Sequence, residues 1–487
     1  MADPDDEDLS PEEILRKAEE AFDKGWQLFK ARQLPEAIAA FMRSLELNRQ
    51  VEGTERQQAT CLTLIGSILS DTNRYQDSLT IYEMALGLWN NLPDTEGIQA
   101  VCLFSIGIAL RNMGRYEGAL TAFQQALALY RTLPGTQEDQ ADCLLGTGLA
   151  LGGVGRYEEA LTAFQQALAL YRTLPGTERQ QAKCLLDTAL ALGEIGRYEE
   201  ALTVYRDALD TYRTLPGTQR QQADCLLGTG IALDEVGRYE EALTAYRDAL
   251  DTYRTLPDTE RQQANCLLGT GNTLDKVGRY EEALTAYRDA LDTYRTLPGT
   301  ERQQADCLND TSVALYKTGR YEEARTPFRR ALTPAIISAL KSNAARFQFP
   351  TEHDRITWIT ERAEPSLDLA LHLAGINDQP ALISDLIATF RTGGSIDTTR
   401  LTTQSGITDP GQSILSLATN LEDSTPPTAP TPTGLALTAS PPLGTDATPS
   451  ANIPRRPGPI LHMPYHRTAL ADYRQDDDTA RPHAHYR

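Results

Sequence analysis

Along residues 11–333 the apolar positions fall into two alternating patterns of helical spacing, separated by short polar breaks. In residues 177–217 the first pattern runs through Leu185, Ala189 and Leu192, and the second through Ala201, Tyr205 and Ala208. Gly196 stands between them, and Leu215-Pro216-Gly217 closes the unit. Proline cannot continue a helix, and glycine tolerates the left-handed turn after one. Thr177 with Gln180 three residues later predicts a capping box at the start of the first helix. Ser10-Pro11-Glu12-Glu13 predicts another, with proline in the first turn.

The two-helix unit recurs. Its second helix is anchored at Leu34, Tyr75, Tyr116 and Tyr157, then at Tyr198, Tyr239, Tyr280 and Tyr321, a constant step of 41 residues. Eight units follow one another, and residues 196–236 and 237–277 differ at seven of 41 positions. One helix hairpin cannot bury its apolar face, so the units are expected to stack into a solenoid.

These residues resemble the tetratricopeptide repeat. Gly107, Gly148, Gly230 and Gly271 stand where that family has its first-helix glycine, and Ala160, Phe164 and Ala167 where it has its small and aromatic second-helix residues. At 41 residues the unit is longer than the usual 34 and is similar to the longer forms in kinesin light chains. The resemblance covers residues 11–333. It implies an all-α fold, a right-handed α-solenoid of eight hairpins, and a role as a platform for other proteins.

From Pro334 the period stops. Residues 334–395 read as amphipathic helices that cap or connect the array, residues 396–487 as a Pro/Thr-rich disordered tail, and residues 1–10 as an acidic disordered start. The segment HDRITWITERAEPSLDLALHLAG, with the later RRPGPILHMPYHRTALADYR, resembles the connector of bacterial CHAT proteins. Their caspase-like domain carries a catalytic histidine and cysteine; this chain has no cysteine after Cys307. The alternative this raises is a regulatory or truncated part of a CHAT-type protease system, with catalysis in a separate chain.

Composition narrows the partners. The net charge of -21, with 67 acidic against 46 basic residues, opposes nucleic acid and anionic membranes. The start lacks a basic and then apolar signal, and no apolar run reaches membrane-spanning length, so the chain reads as cytoplasmic. Nothing implies a cofactor, a metal or a catalytic residue. The seven cysteines, Cys61 to Cys307, are also spaced by 41, and no histidine precedes His353. They read as small packing residues. The glycines of QADCLLGTGLALGGVGRYEEAL follow no strand pattern, which speaks against a phosphate loop. Gly148 reads as a packing glycine and Gly155 as a turn. Gly152 and Gly153 have no counterpart role and mark a softer or smooth-walled unit.

The tyrosines Tyr205, Tyr212, Tyr246, Tyr253, Tyr287 and Tyr294 read as packing, and the Glu-Glu after each anchor tyrosine as a solvated first turn. Between the two most similar units, four of seven differences lie in the first helix: Asp224/Asn265, Ile231/Asn272, Ala232/Thr273 and Glu235/Lys276. Positions that vary while packing residues stay are expected to be exposed. By the resemblance they line the concave groove. Asp187, Glu194, Asp224, Asp234 and Glu235 belong to this set, with Asn272, Asp275, Asp306 and Asp310. The expected partner is therefore a peptide or helix bearing Lys or Arg. A non-catalytic protein–protein interaction scaffold is the function expected.

Overall fold

A computed structural model describes residues 10–345, 364–376 and Leu386. The expected disordered tail and acidic start lie outside these residues, as do most of the capping segment and the CHAT-like stretches. The first helices of the eight hairpins are α1 (Pro11–Lys30), α3 (Glu55–Asp71), α5 (Glu96–Asn112) and α7 (Gln137–Gly153). They continue with α9 (Glu178–Glu194), α11 (Gln219–Glu235), α13 (Glu260–Lys276) and α15 (Glu301–Lys317). The second helices are α2 (Leu34–Asn48), α4 (Tyr75–Trp89), α6 (Tyr116–Tyr130) and α8 (Tyr157–Tyr171). The others are α10 (Tyr198–Arg213), α12 (Tyr239–Tyr253), α14 (Tyr280–Arg295) and α16 (Tyr321–Ala345). Each hairpin packs on the next, and α17 (Glu364–Ile376) lies against α16. The described residues contain no strand. The fold is an all-α solenoid.

Small residues let the helices of a hairpin approach closely. A Cβ on Gly230 would lie 2.8 Å from the ring of Tyr246, and one on Gly271 2.5 Å from Tyr287. In six of the eight hairpins the chain turns at a glycine with positive φ, as at Gly196 (78°) and Gly237 (80°), and in the first two at Arg32 and Asn73. All seven cysteines are buried and unbridged. Burial pushes up the thiols of Cys61, Cys102, Cys143, Cys225, Cys266 and Cys307, Cys102 to about 12, so at neutral pH these are protonated and weakly reactive.

The joint between hairpins differs from the expectation. Ser10 forms its capping box, with ψ at 154°, and its amide donates to the Glu13 carboxylate at 2.9 Å. Thr177 does not cap its helix: its ψ of 18° turns the hydroxyl backwards. The hydroxyl instead faces the carbonyls that end α8, Tyr171 at 2.6 Å and Leu174 at 3.0 Å. Gln181 then donates to the same hydroxyl. Thr218, Thr259 and Thr300 repeat the arrangement and are fully buried. Arg179, Arg220 and Arg261 each reach the proline carbonyl of the following joint, at 2.9–3.0 Å. The threonine thus ends one helix rather than starting the next.

The end of the array also departs from the sequence break. Helix α16 passes through both Pro327 and Pro334 to Ala345, so Pro334 marks no helix end. Buried Leu369, Ala370 and Leu373 of α17 join the same apolar cluster as Ala331, Leu332 and Ala335 of α16. Among the described residues this helix covers the apolar face that α16 would otherwise expose.

Thr218→Val keeps the shape of the joint but leaves the Tyr212 and Leu215 carbonyls without their hydroxyl donor. The expected cost is about 1–3 kcal/mol. Amide exchange around residues 212–222 checks it, because an array opens locally rather than all at once.

Candidate interaction groove

Successive first helices from α3 to α15 touch one another, in addition to their contacts with second helices. One stripe of these helices carries polar and half-buried side chains. On α11 that face carries Asp224, Ile231, Asp234 and Glu235, at the i, i+7, i+10 and i+11 spacing of a single helical stripe. The 41-residue step carries the stripe from hairpin to hairpin. The position of Ile231 is held by Ile108, Leu149 and Leu190 in the preceding hairpins and by Asn272 and Val313 after it. Ile108, Leu149 and Ile231 are half-buried, and Leu190 is buried. In the first hairpin Trp26 holds the same position, with Phe29 stacked on it at 5.7 Å and the Lys30 ammonium 5.3 Å from its ring.

The varying positions are not the exposed ones expected. Asp224, Asp234 and Asp275 are 8–9 % exposed, and Thr273 is fully buried. Asp224 and Asn265 join the two helices of one hairpin, and Asp234 and Asp275 join one hairpin to the next. Tyr253 donates to Asp224 at 2.5 Å, and Tyr294 donates to Asn265 at 2.6 Å. Either residue supplies an acceptor oxygen, so exchange between them leaves the contact in place. Tyr171 makes the same contact with Asp142.

Asp234 accepts from Thr273 at 2.9 Å and pairs with Lys276 at 2.6 Å, both on the next first helix. Lys276 also reaches Glu235 at 3.4 Å. Asp275 pairs with Lys317 in the same way. Burial alone would lower the Lys276 ammonium, but the Asp234 hydrogen bond and charge outweigh it and raise it. The substitutions that separate the two most similar units therefore complete a bond between them. Sequence variation could not reveal this, because partner and substitution lie 39 to 42 residues apart.

The remaining positions are half-buried. Glu194 accepts from Tyr157 at 3.2 Å, and Asp187 and Asp310 occupy the same offset three hairpins apart. Asp306 is distinct. Its counterparts Asp142, Asp224 and Asn265 each meet a tyrosine hydroxyl, but the corresponding position for Asp306 is Ala335. Desolvation therefore pushes its carboxyl up to about 6, opposed by Arg302 at 3.8 Å.

Gly153 has a definite role. A Cβ there would lie 2.4 Å from the Tyr116 ring, so glycine lets that ring pack down, with Gly152 buried beside it. The Glu-Glu pairs are exposed, as expected, but also bridged. Arg279 binds Glu282 at 2.6 Å and approaches Glu240 of the preceding hairpin at 3.7 Å. That hydrogen bond holds Glu282 below the usual carboxylate range.

The tetratricopeptide repeat model matches residues 27–91, 99–173, 143–214, 182–255 and 260–333. The chain belongs to the tetratricopeptide repeat family. Arrays of this family serve as protein–protein interaction scaffolds. No curated relative matches the chain. Among solved structures it is similar to the apo form of RapI, at 15% identity and a TM-score of 0.47 over 57% of this chain and 97% of that one. It is also similar to NprR in complex with its cognate peptide NprX, at 16% identity and a TM-score of 0.42 over 73% and 98%. A tetratricopeptide repeat protein from Parabacteroides merdae shows 17% identity and a TM-score of 0.44 over 61% and 99%. Likeness of this degree carries no functional conclusion. Among the described residues no helix is long and apolar enough to cross a membrane, and no cluster of three His, Cys, Asp or Glu could hold a metal.

Two predictions follow from these contacts. In a double-mutant cycle of Asp234→Asn and Lys276→Met, the two single losses of stability should exceed the loss in the double mutant by about 1–2 kcal/mol. Denaturant unfolding reads this. Asp306 binds its proton more tightly folded than unfolded, where its range is near 4. Its contribution is then complete below about pH 4 and is lost as pH rises through 6. Asp306→Asn should match the parent below pH 4 and be more stable by about 1–3 kcal/mol above pH 7. Melting curves across pH 3.5–8 check both ends.

Proposed function

We propose that the first-helix face of α5 to α15 holds a basic, amphipathic peptide or helix of a partner protein, without catalysis. The observation that carries this is the apolar row Ile108, Leu149, Leu190 and Ile231 across four consecutive hairpins, bordered by acid. From α7 to α15 the stripe holds Asp142, Asp187, Glu194, Asp224 and Asp234, then Glu235, Asp275, Asp306 and Asp310. Only Lys183, Lys276 and Lys317 oppose these nine carboxylates, which leaves the stripe at a formal 3 − 9 = −6. A cationic ligand gains from that field even though the buried aspartates are already paired.

The pairing divides the site. Asp234 and Asp275 join one hairpin to the next, and Asp224 joins the two helices of its own. In this reading Glu194, which accepts from Tyr157, and Glu235, beside Lys276, meet the ligand with Asp187 and Asp310, and Asn272 extends the row as a polar position.

The full-length chain should select basic peptides with spaced apolar residues from a random peptide library. Ile231→Asn introduces the residue that the next hairpin already carries as Asn272, so the fold tolerates it. Combined with Glu194→Gln it should weaken the selected peptides about tenfold or more, with a steeper loss at low salt. Equal binding by parent and variant in titration calorimetry sinks the groove reading.

A further inference from the structure

The last hairpin carries an exposed aromatic pair. Tyr316, near the end of α15, and Tyr321, which opens α16, are 57% and 56% exposed. Among the described residues no other large apolar side chain is as open to solvent. Their ring centroids lie 4.8 Å apart at an interplanar angle of 67°. This edge-to-face contact occupies one face of one ring, so further ring surface stays in water.

The preceding hairpins show what fits over such a ring. Tyr321 is the last of the anchor tyrosines, and Tyr116, Tyr157, Tyr198, Tyr239 and Tyr280 before it are half-buried. The next first helix covers three of them from a single offset. Gly153 lies against the Tyr116 ring, Glu194 accepts from Tyr157 at 3.2 Å, and the Lys317 ammonium stands 5.8 Å from the Tyr280 ring centroid. Lys317 is also paired with Asp275. The seventh hairpin thus holds a cation with one carboxylate and one ring. In the eighth, 41 residues further on, Tyr316 stands for Asp275 and Tyr321 for Tyr280. Among the described residues no ammonium or guanidinium stands over either ring.

We infer that Tyr316 and Tyr321 bind an arginine side chain of the partner. The inference rests on the groove reading for the kind of partner, a basic peptide, and adds a specificity site at the C-terminal end of the stripe. Two rings select a different cation from a ring and a carboxylate. A lysine ammonium is compact and strongly hydrated, and it gives up water most readily to a carboxylate such as Asp275. A guanidinium is planar and weakly hydrated, and it stacks on aromatic faces. Exchange of Asp275 for Tyr316 therefore favours arginine. The cations beside the pair are already neutralised, Lys317 by Asp275 and Arg320 by Glu281 at 3.3 Å and by Glu323. The net acidity of the stripe supplies attraction at longer range.

The test titrates the full chain with octa-arginine, octa-lysine and uncharged octa-citrulline in a calorimeter at about 0.15 M salt. The parent should bind octa-arginine about fivefold more tightly than octa-lysine, and octa-citrulline least. Tyr316→Ala combined with Tyr321→Ala should bring the two cationic peptides to within about twofold of each other. Tyr316→Phe with Tyr321→Phe should keep the preference, because ring faces and not hydroxyls carry it. Both positions are exposed, so the variants keep the fold, which melting curves check. Equal binding of octa-arginine and octa-lysine by the parent overturns the proposal, as does a preference that survives in the alanine variant. Octa-citrulline bound as tightly as octa-arginine also overturns it, since stacking without charge would then suffice. Ile231→Asn with Glu194→Gln separates this site from the groove. If that variant weakens both cationic peptides while the alanine variant changes nothing, the groove stands and the tyrosine site falls. If it changes nothing while the alanine variant abolishes the preference, the groove reading falls and the tyrosine site stands. No binding of either cationic peptide by the parent overturns both.

Discussion

An aromatic ring pressed against bare glycine backbone on two sides sets the spacing of this array. The Phe123 ring lies where a Cβ on Gly107 of its own hairpin would come within 2.6 Å, and one on Gly146 of the next hairpin within 2.8 Å. Tyr246 is held in the same way between Gly230 and Gly269. One side chain therefore fixes both the distance within a hairpin and the distance to its neighbour. The stack inherits its regularity from that contact, since a packed core has little freedom to adjust. At the offset of Gly230 the substitutes are small, Ala189 and Ser312, whereas at the offset of Gly269 the ring meets Asp187 or Asp310 in place of glycine.

The spacing has consequences at the groove. With first helices held close, a side chain on one reaches the next, and a carboxylate pointing there is drawn into the joint. Asp234 and Asp275 become halves of inter-hairpin ion pairs, and Asp224 becomes an acceptor for a buried tyrosine. Ile108, Leu149 and Ile231 of these helices pack against the core on one side and stay half-buried, while Leu190 is buried. Binding surface and hairpin joint thus share the same helices but use different stripes of them.

Much of this was legible from periodicity. Residue patterns at helical spacing, a step of 41 and glycine at fixed offsets specify eight hairpins, and the structure has eight. The packing role of the cysteines and tyrosines followed from their sharing one offset. The capping-box reading of Thr177 failed because a motif in sequence does not state its backbone angle. Ser10, with an extended ψ, forms the box, and Thr177, with ψ near zero, cannot. The exposure expected of Asp224 and Asp234 failed because variation between repeats was read one residue at a time. Asp234 and Lys276 contribute to one bond, and a bond can change by paired substitution without being solvent-exposed.

By itself, then, the sequence determined the class of fold, the number of hairpins and the residues that pack. All three depend on local spacing and on a repeat that reports itself. Only the tertiary structure decided which polar groups meet across hairpins, which end of a helix each threonine serves, and why Gly153 is glycine. The threonine's role rests on the backbone angle at the joint, and the others on contacts about 40 residues apart, where the approach of one helix to the next selects the partner.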